Sequence, residues 1–392
     1  MRVSYILVLR PLLRLSLYST LVFIVPSQTV RAQSSEDSIP STSLQNFLDK
    51  THIGGYGEIT YKAPNEGDVP RLDIPRFVIY LDHYFSDKWA MKSETEIEHV
   101  KLERGEGGEI GLEQAFLDYH ANSHIGWRTG LLLIPMGIIN QTHEPNTFYS
   151  VERPQFDEQV IPTTWREIGT GVYGDLSEGL KYQLYVTEGL KTQEITSEGL
   201  DGGKQEGSAG EETSDFMAGS DASHPALSAK LEVLPFAGLR IGASTYIEPG
   251  YTHDISRSFF MSVLDARYEH GPLHIRGEGG VINTGDASDF PHVPTGARGG
   301  YVEAAYNVMP LFSSAESELL PFVRVERIEF SSRSDTTEAN FSTDRDIDRN
   351  TITAGLAFKP LDNIILKADY RVTKIEGELD YRQFSLGLGF AY

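Results

Sequence analysis

The chain ends on RQFSLGLGFAY, residues 382–392, and the reading of this stretch decides the fold. Phe384, Leu386, Leu388, Phe390 and Tyr392 fall on one face of an extended segment, and Ser385, Gly387, Gly389 and Ala391 on the other. Side chains of a strand alternate between faces, so one side is large and apolar and the other small and polar. The same split runs through GLRIGASTYIE, residues 238–248. There Leu239, Ile241, Ala243, Thr245 and Ile247 oppose Arg240, Gly242, Ser244, Tyr246 and Glu248. It returns in Ile364, Leu366, Ala368, Tyr370 and Val372 against Lys367, Asp369 and Arg371. Charges confined to one face suit a barrel with a wet interior, since they are costly against lipid. A half-buried sheet in a soluble sandwich has the same period, so the connections must separate the two.

Reading outward from the C-terminus, period-2 segments are expected at 53–62, 73–85, 88–100, 108–121, 125–134, 165–177, 180–189, 224–235, 238–249, 258–269, 272–283, 299–309, 319–330, 348–359, 363–374 and 381–392. Each is close to the roughly 9–11 residues of a tilted membrane strand. Every second connection is tight: Ser86-Asp87, Asn122-Ser123-His124, Glu178-Gly179, Phe236-Ala237, His270-Gly271 and Leu361-Asp362, with a looser one at 310–318. The others are long and polar, with Gly, Asp, Asn and Pro in clusters. Short turns on one side and long loops on the other are expected of a 16-stranded antiparallel transmembrane barrel with periplasmic turns and external loops. A sandwich has no reason to sort its loops this way. Trp89, Trp127, Tyr182, Tyr268 and Tyr306, near strand ends, are candidates for an interfacial girdle.

The N-terminus supports export. Arg2, Arg10 and Arg14 lead into an apolar run at Leu21–Val25, followed by Val30-Arg31-Ala32 as a small-x-small cleavage site, the pattern of a secretory signal peptide over 1–32. Pro11, Pro26 and the arginines leave no uninterrupted apolar run of the roughly 20 residues a membrane-anchoring helix needs. Residues 33–52 are then a short periplasmic segment, either a disordered leader or a helix at Leu44–Leu48, and 53–392 the barrel. There are no cysteines, so no disulfide framework stabilises the exported chain. The net charge of −22 becomes about −26 once the four signal arginines are gone, a balance that excludes nucleic acid as a partner. Much of it lies at 191–221, a Gly-, Ser- and Glu-rich stretch that reads as a solvated external loop. Such a loop serves solubility, cation bridging to the anionic lipopolysaccharide surface, or a cation-enriching vestibule.

Several stretches resemble the phosphate-selective porin O/P family. They are Gly54-Gly55-Tyr56-Gly57-Glu58, Arg76-Phe77, Glu94-Thr95-Glu96-Ile97-Glu98-His99, Gly108 to Ala115, Gly130 to Gly137, Thr142-His143-Glu144-Pro145 and Ile161-Pro162-Thr163-Thr164-Trp165. The resemblance is dense from about Gly54 to Leu190 and thin beyond. It implies an outer-membrane porin in a Gram-negative cell, commonly a homotrimer, whose third external loop folds into the lumen. The terminal Tyr392 resembles the signal read by barrel-assembly machinery. Blurred alternation at Glu98–His99 and Gln114–Asp118 marks either a subunit contact or a bulge.

The third loop, residues 134–165, holds Pro135, Pro145, Pro154 and Pro162, which restrict its backbone and suit a folded constriction. His143, Glu144, Glu152, Arg153, Asp157, Glu158 and Arg166 are its candidate pore residues, with Ile138, Phe148, Tyr149 and Phe156 packing it inward. Alternation assigns Arg76, Lys92, Glu94, Glu96, Glu98, Arg128, Arg240, Arg276, Arg324, Lys367 and Arg371 to the lumen wall. Acids and bases there are near balance, which fits salt-linked wall residues better than the unpaired basic ladder that phosphate selectivity requires. Passive diffusion of small hydrophilic solutes, with anions such as phosphate as a special case, is the expected function. The alternative is a non-channel barrel acting as a surface enzyme or adhesion protein. No G-x-S-x-G pattern surrounds Ser150, and His143-Glu144 lacks the several ligands at fixed spacing that mark a metal site. No catalytic residue, metal or cofactor is therefore assigned.

Overall fold

Sixteen strands close on themselves in a computed structural model that describes residues 41–65, 69–99, 108–189, 195–196, 199–200, 225–249, 258–284, 296–313, 316–331, 347–375 and 380–392. A short helix α1 (Ser41–Leu48) precedes β1 (Thr51–Pro64), β2 (Arg71–Tyr84), β3 (Trp89–Glu98), β4 (Glu109–Asn122) and β5 (Ile125–Leu133). After the long third loop come β6 (Arg166–Ser177), β7 (Leu180–Thr187) and a two-stranded hairpin of β8 (Ile195–Thr196) and β9 (Gly199–Leu200). The barrel resumes with β10 (Ala226–Phe236), β11 (Leu239–Glu248), β12 (Phe259–His270), β13 (Leu273–Thr284) and β14 (Gly296–Tyr306). It finishes with β15 (Glu318–Ser331), β16 (Ile347–Leu361), β17 (Ile364–Ile375) and β18 (Tyr381–Ala391). Asn46–Tyr392 form one unit and Met1–Gln45 a second. The signal-peptide expectation and, apart from β8 and β9, the acidic stretch 190–223 lie outside the described residues.

Each barrel strand pairs antiparallel with its neighbour, and β18 returns to β1 in a ladder from Tyr56↔Ala391 to Pro64↔Gln383. The last residue extends the seam: Tyr392 N–H donates to the Gly55 carbonyl (2.9 Å) and Gly55 N–H to the Tyr392 carbonyl (3.0 Å). Closure leaves no unpaired sheet edge, the condition for crossing lipid with strands. The short connections, after β2, β4, β6, β10, β12, β14 and β16, all sit at the end of the barrel that carries the N- and C-terminal residues of the sheet.

The alternation is realised in the burial. On β18, Ser385 and Gln383 are buried while Phe384 and Leu386 face out; on β17, Lys367, Asp369 and Arg371 are buried while Leu366 and Tyr370 face out. Outward rows of Leu, Ile, Val and Phe make the lipid band, at roughly 25 cal/mol per Å² removed from water. Trp89 packs against Tyr119 (ring centroids 4.6 Å) and Trp127 (6.1 Å) at the short-turn end. A bulge lies at the start of the blurred stretch in β4. Glu94 faces Gln114 while Thr95 faces Leu112, which leaves Glu113 as an extra residue, fully buried. A bulge re-aims a side chain at the cost of one ladder position.

Candidate functional site

The third loop departs where β5 stops. Ile134 N–H donates to the Trp165 carbonyl (2.9 Å), closing a neck, and Asn140 staples it: Nδ2 donates to the carbonyls of Ile134 (2.7 Å) and Trp165 (3.0 Å), while Oδ1 accepts from Trp165 N–H (2.7 Å). Gly137, at φ +58°, turns the chain against the inner wall. There its N–H donates to Ser244 Oγ (3.2 Å), Ile138 N–H to Glu278 Oε2 (2.6 Å), and Lys230 Nζ to the Gly137 carbonyl (2.5 Å). Ile134, Met136, Phe156, Val160, Ile161 and Trp165 form an apolar root with Tyr246, Phe259, Met261 and Tyr301 of the wall. Farther along, Tyr149 packs with Leu320, Phe322, Ala357 and Ile365, close to the short-turn end. Asn146 Nδ2 donates to the carbonyl of Asp362 in the β16–β17 turn (3.4 Å).

Between these apolar contacts the wall's charged side chains bind the loop backbone. Arg276 donates to the Thr147 carbonyl (2.7 Å) and pairs with Glu303 (2.5 Å). Arg324 pairs with Glu326 (2.8 Å) and Glu303 (3.3 Å) and donates to Ser150 Oγ (2.5 Å). Lys367 Nζ donates to the Ser150 carbonyl (2.8 Å) and stands 3.7 Å over the Phe148 ring. Asp369 accepts Val151 N–H (2.6 Å), and Glu326 accepts Gln155 N–H (2.7 Å). Buried backbone groups must find partners, and here charged wall groups provide them.

The loop's candidate residues sit in different surroundings. Glu152 pairs with Arg371 (2.6 Å) and Lys62 and accepts from Gln383 (3.0 Å). Burial pushes its carboxyl up, but Arg371 and Lys62 outweigh that and hold it at about 2. Burial and then the Glu152 charge push half-buried Glu158 up to about 7. Asp157 is buried opposite Glu278, and burial followed by that like charge raises it well above the usual carboxylate range. Arg153 is 4% exposed, donates to Thr164 Oγ1 (3.2 Å) and keeps Nη2 without a hydrogen bond. Burial and then Arg76 lower its affinity for its proton. His143 is buried against β3 and β4, and Glu144 follows it, half-buried. Arg166 stands apart: it alternates on β6 with Glu167, whose carboxylate accepts from Trp165 and Tyr246 inside the barrel (2.8 Å each). Alternation points it to the opposite face, yet its half-buried guanidinium comes within 3.7 Å of where a Cβ on Gly111 of β4 would lie, on the row that carries Glu96.

Among the wall candidates, Arg76 pairs with Glu58 (2.7 Å), Lys92 with Asp82 (3.2 Å), Arg128 with Asp118 (3.5 Å) and Arg240 with Glu232 (3.6 Å). Glu94 and Glu96 are buried on the same inward row, and Glu98 is half-buried opposite Arg76. Arg240, its side chain 52% exposed, lies next to the Ala237-Gly238 turn. Sequence reasoning missed Asn140, Gln155 and Glu113, whose roles depend on partners far along the chain. Ser150 is engaged by Arg324 and, through its own hydroxyl, by the Glu152 carbonyl (2.6 Å). His143 bonds instead to the Asn140 carbonyl.

No protein-family model matches the chain. Solved structures of similar fold include OmpF of Salmonella typhi in complex with daunomycin, at 12% identity and TM-score 0.59 over 88% of this chain and 99% of that one. The outer membrane channel DcaP of Acinetobacter baumannii is another, at 13% identity and TM-score 0.57 over 87% and 97%. At that distance they establish a porin-type outer-membrane barrel as the fold. A protein of Aquifex aeolicus (strain VF5), described only as uncharacterized, is 30% identical over 339 residues, 81% of this chain and 74% of the relative. By that identity and coverage, the chain belongs to the family of this Aquifex aeolicus protein.

Proposed function

We propose that the protein is a passive diffusion channel for small hydrophilic solutes in the outer membrane, with residues 134–165 as its narrowest part. The observation that carries this reading is the combination of a closed barrel with a loop hydrogen-bonded to inward side chains of β10, β11, β13, β15, β16, β17 and β18. Inward groups that keep solvent contact include Lys62, Lys92, Asp82, Arg128 and Arg267, a mixed-charge lining suited to weak selectivity. A surface enzyme finds no support in the engaged Ser150 hydroxyl.

Anion preference, with phosphate as one case, is the finer reading and rests on the resemblance. Arg153, Lys230 and Lys367 support it, since they form no ion pair among the described residues. Homotrimer formation is a further part of the proposal. Ser93, Thr95, Thr129 and Thr170 lie on the outward face of β3, β5 and β6 and make it less apolar than the rest of the band, with the Ser93, Thr129 and Thr170 hydroxyls bonded to strand carbonyls. Tyr392, which seals β18 to β1, is the proposed assembly signal, and lipid and lipopolysaccharide surround the band.

Single-channel recording in planar bilayers tests the proposal. Stable conductance steps are expected, and their absence from a correctly folded preparation would overturn it. If phosphate blocks chloride current, R153A and R166A should each weaken the block, and an unchanged block would remove that residue from the proposed constriction.

A further inference from the structure

We infer that Glu94, Glu113 and His143 bind one divalent transition-metal cation, of the class typified by Zn²⁺, and that this ion ties the third loop to the barrel wall. The ligands come from β3, the β4 bulge and the loop, and one donor atom from each lies within 4.8 Å of the others. All three side chains are buried, with relative exposures of 4%, 0% and 3%.

The imidazole is oriented as a ligand. Its Nδ1–H donates to the Asn140 carbonyl (3.0 Å), and Nε2 is in long hydrogen-bond contact with Glu113 Oε2 at 3.4 Å, with Glu94 Oε1 at 3.7 Å, so a neutral ring turns its Nε2 lone pair toward the two carboxylates. A histidine that binds metal commonly gives its other N–H to a backbone carbonyl, fixing tautomer and ring plane. The separations are long for a charge-assisted hydrogen bond of about 2.7–2.9 Å. They approach the roughly 3.4 Å edge of a tetrahedron with bonds of about 2.0–2.2 Å. Glu94 Oε2 accepts from Gln114 Nε2 (2.6 Å), a hydrogen bond that turns Oε1 toward the imidazole.

Two further observations point to a missing partner. Glu94 Oε1 and Glu113 Oε1 are buried without a hydrogen bond, as is the hydroxyl of Tyr56, a fully buried residue whose ring stands edge-on to His143 at 6.1 Å. Like carboxylates packed together cannot all stay ionised without a compensating charge. Neither Glu94, Glu96 nor Glu113 has a Lys or Arg at ion-pair distance among the described residues, because Arg76 is engaged by Glu58. Mixed imidazole and carboxylate donors suit a borderline cation. The bulge is what brings Glu113 into this set, so a departure from regular pairing gains a role.

Metal binding is independent of whether the barrel conducts, and it is read without a bilayer. The purified full-length protein, stripped with chelator and dialysed against micromolar ZnCl₂, should retain one zinc per chain by elemental analysis. E113Q and H143A, each checked for barrel folding by heat-modifiable gel mobility and circular dichroism, should lose at least about tenfold in affinity. Cobalt loading gives a second measurement, with visible d–d absorption in the wild type that H143A abolishes. Uptake well below one ion per chain, or equal uptake by the wild type and both folded variants, would overturn the assignment.

Discussion

At the residue scale, the interior is governed by charges whose partners are fixed. Arg324 is 1% exposed and pairs with Glu303 and Glu326 while reaching Ser150. Replacing it with Met leaves buried Glu326 without its cation and Glu303 with Arg276 alone, a loss of about 3–5 kcal/mol. A clear fall in the denaturant midpoint is expected, and an unchanged midpoint would contradict this account of the pair. Glu152 and Glu158 behave oppositely with pH. Glu152, held at about 2 against an ordinary 4.5, contributes stability that is present above about pH 4.5 and drains as pH falls toward 2. Glu158, raised to about 7, binds a proton in the folded state that the unfolded chain has released, so its contribution is lost as pH climbs from about 4.5 through 7. Between pH 6 and 8 the loop therefore gains negative charge. Reversal potentials in a salt gradient should drift toward cation preference over that interval, and E158Q should flatten the drift.

At the element scale, the third loop is built as a folded unit with a neck, a turn and an apolar root. The turn depends on Gly137 at φ +58°, where an added Cβ would lie 2.5 Å from Glu278 Oε2 and 2.7 Å from Ile161 Cδ1. A left-handed conformation costs a substituted residue about 1–2 kcal/mol before any clash. G137A should loosen the loop without opening the barrel. Limited proteolysis should show faster cutting within 138–164, with the heat-modifiable mobility of the barrel retained. The four prolines in the sequence indicate a stiff loop, but not where it goes. Asn140, which closes the neck, and Gln155, which accepts from Thr351 Oγ1 on β16 (2.6 Å), look like ordinary loop residues until the wall is in place.

At the scale of the whole molecule, the barrel and the loop are separable. The wall is held by sixteen ladders closed through β1 and β18, none of which needs residues 139–160. Replacing those residues with a short Gly-Ser linker should leave a folded barrel and raise single-channel conductance several-fold. Equal conductance would mean that the loop does not set the pore width. Removing the loop also exposes Arg276, Arg324 and Lys367 to solvent, so ion preference should move toward anions in the same recordings.

The sequence by itself determined the strand count, the short and long connections and the inward and outward faces, because each follows from a period of two and from turn residues a few positions apart. The expected and observed strands agree closely at most ends, as at 364–375 and 381–391, and the charged face of β17 reads directly from Lys367, Asp369 and Arg371. Only the tertiary structure decided what those charges touch. Arg324 meets Ser150 across 174 residues of chain, and no local spacing encodes that distance. Glu94 and His143 read from the sequence only as a wall and a loop residue, and nothing there joins them to Glu113, since metal ligands are found in sequence only when they share a helix, a turn or a hairpin. Here a bulge, a strand and a returning loop bring them together. Closure of the barrel turns one face of every strand into a shared interior, and the contacts inside it are fixed by three-dimensional position rather than by order along the chain.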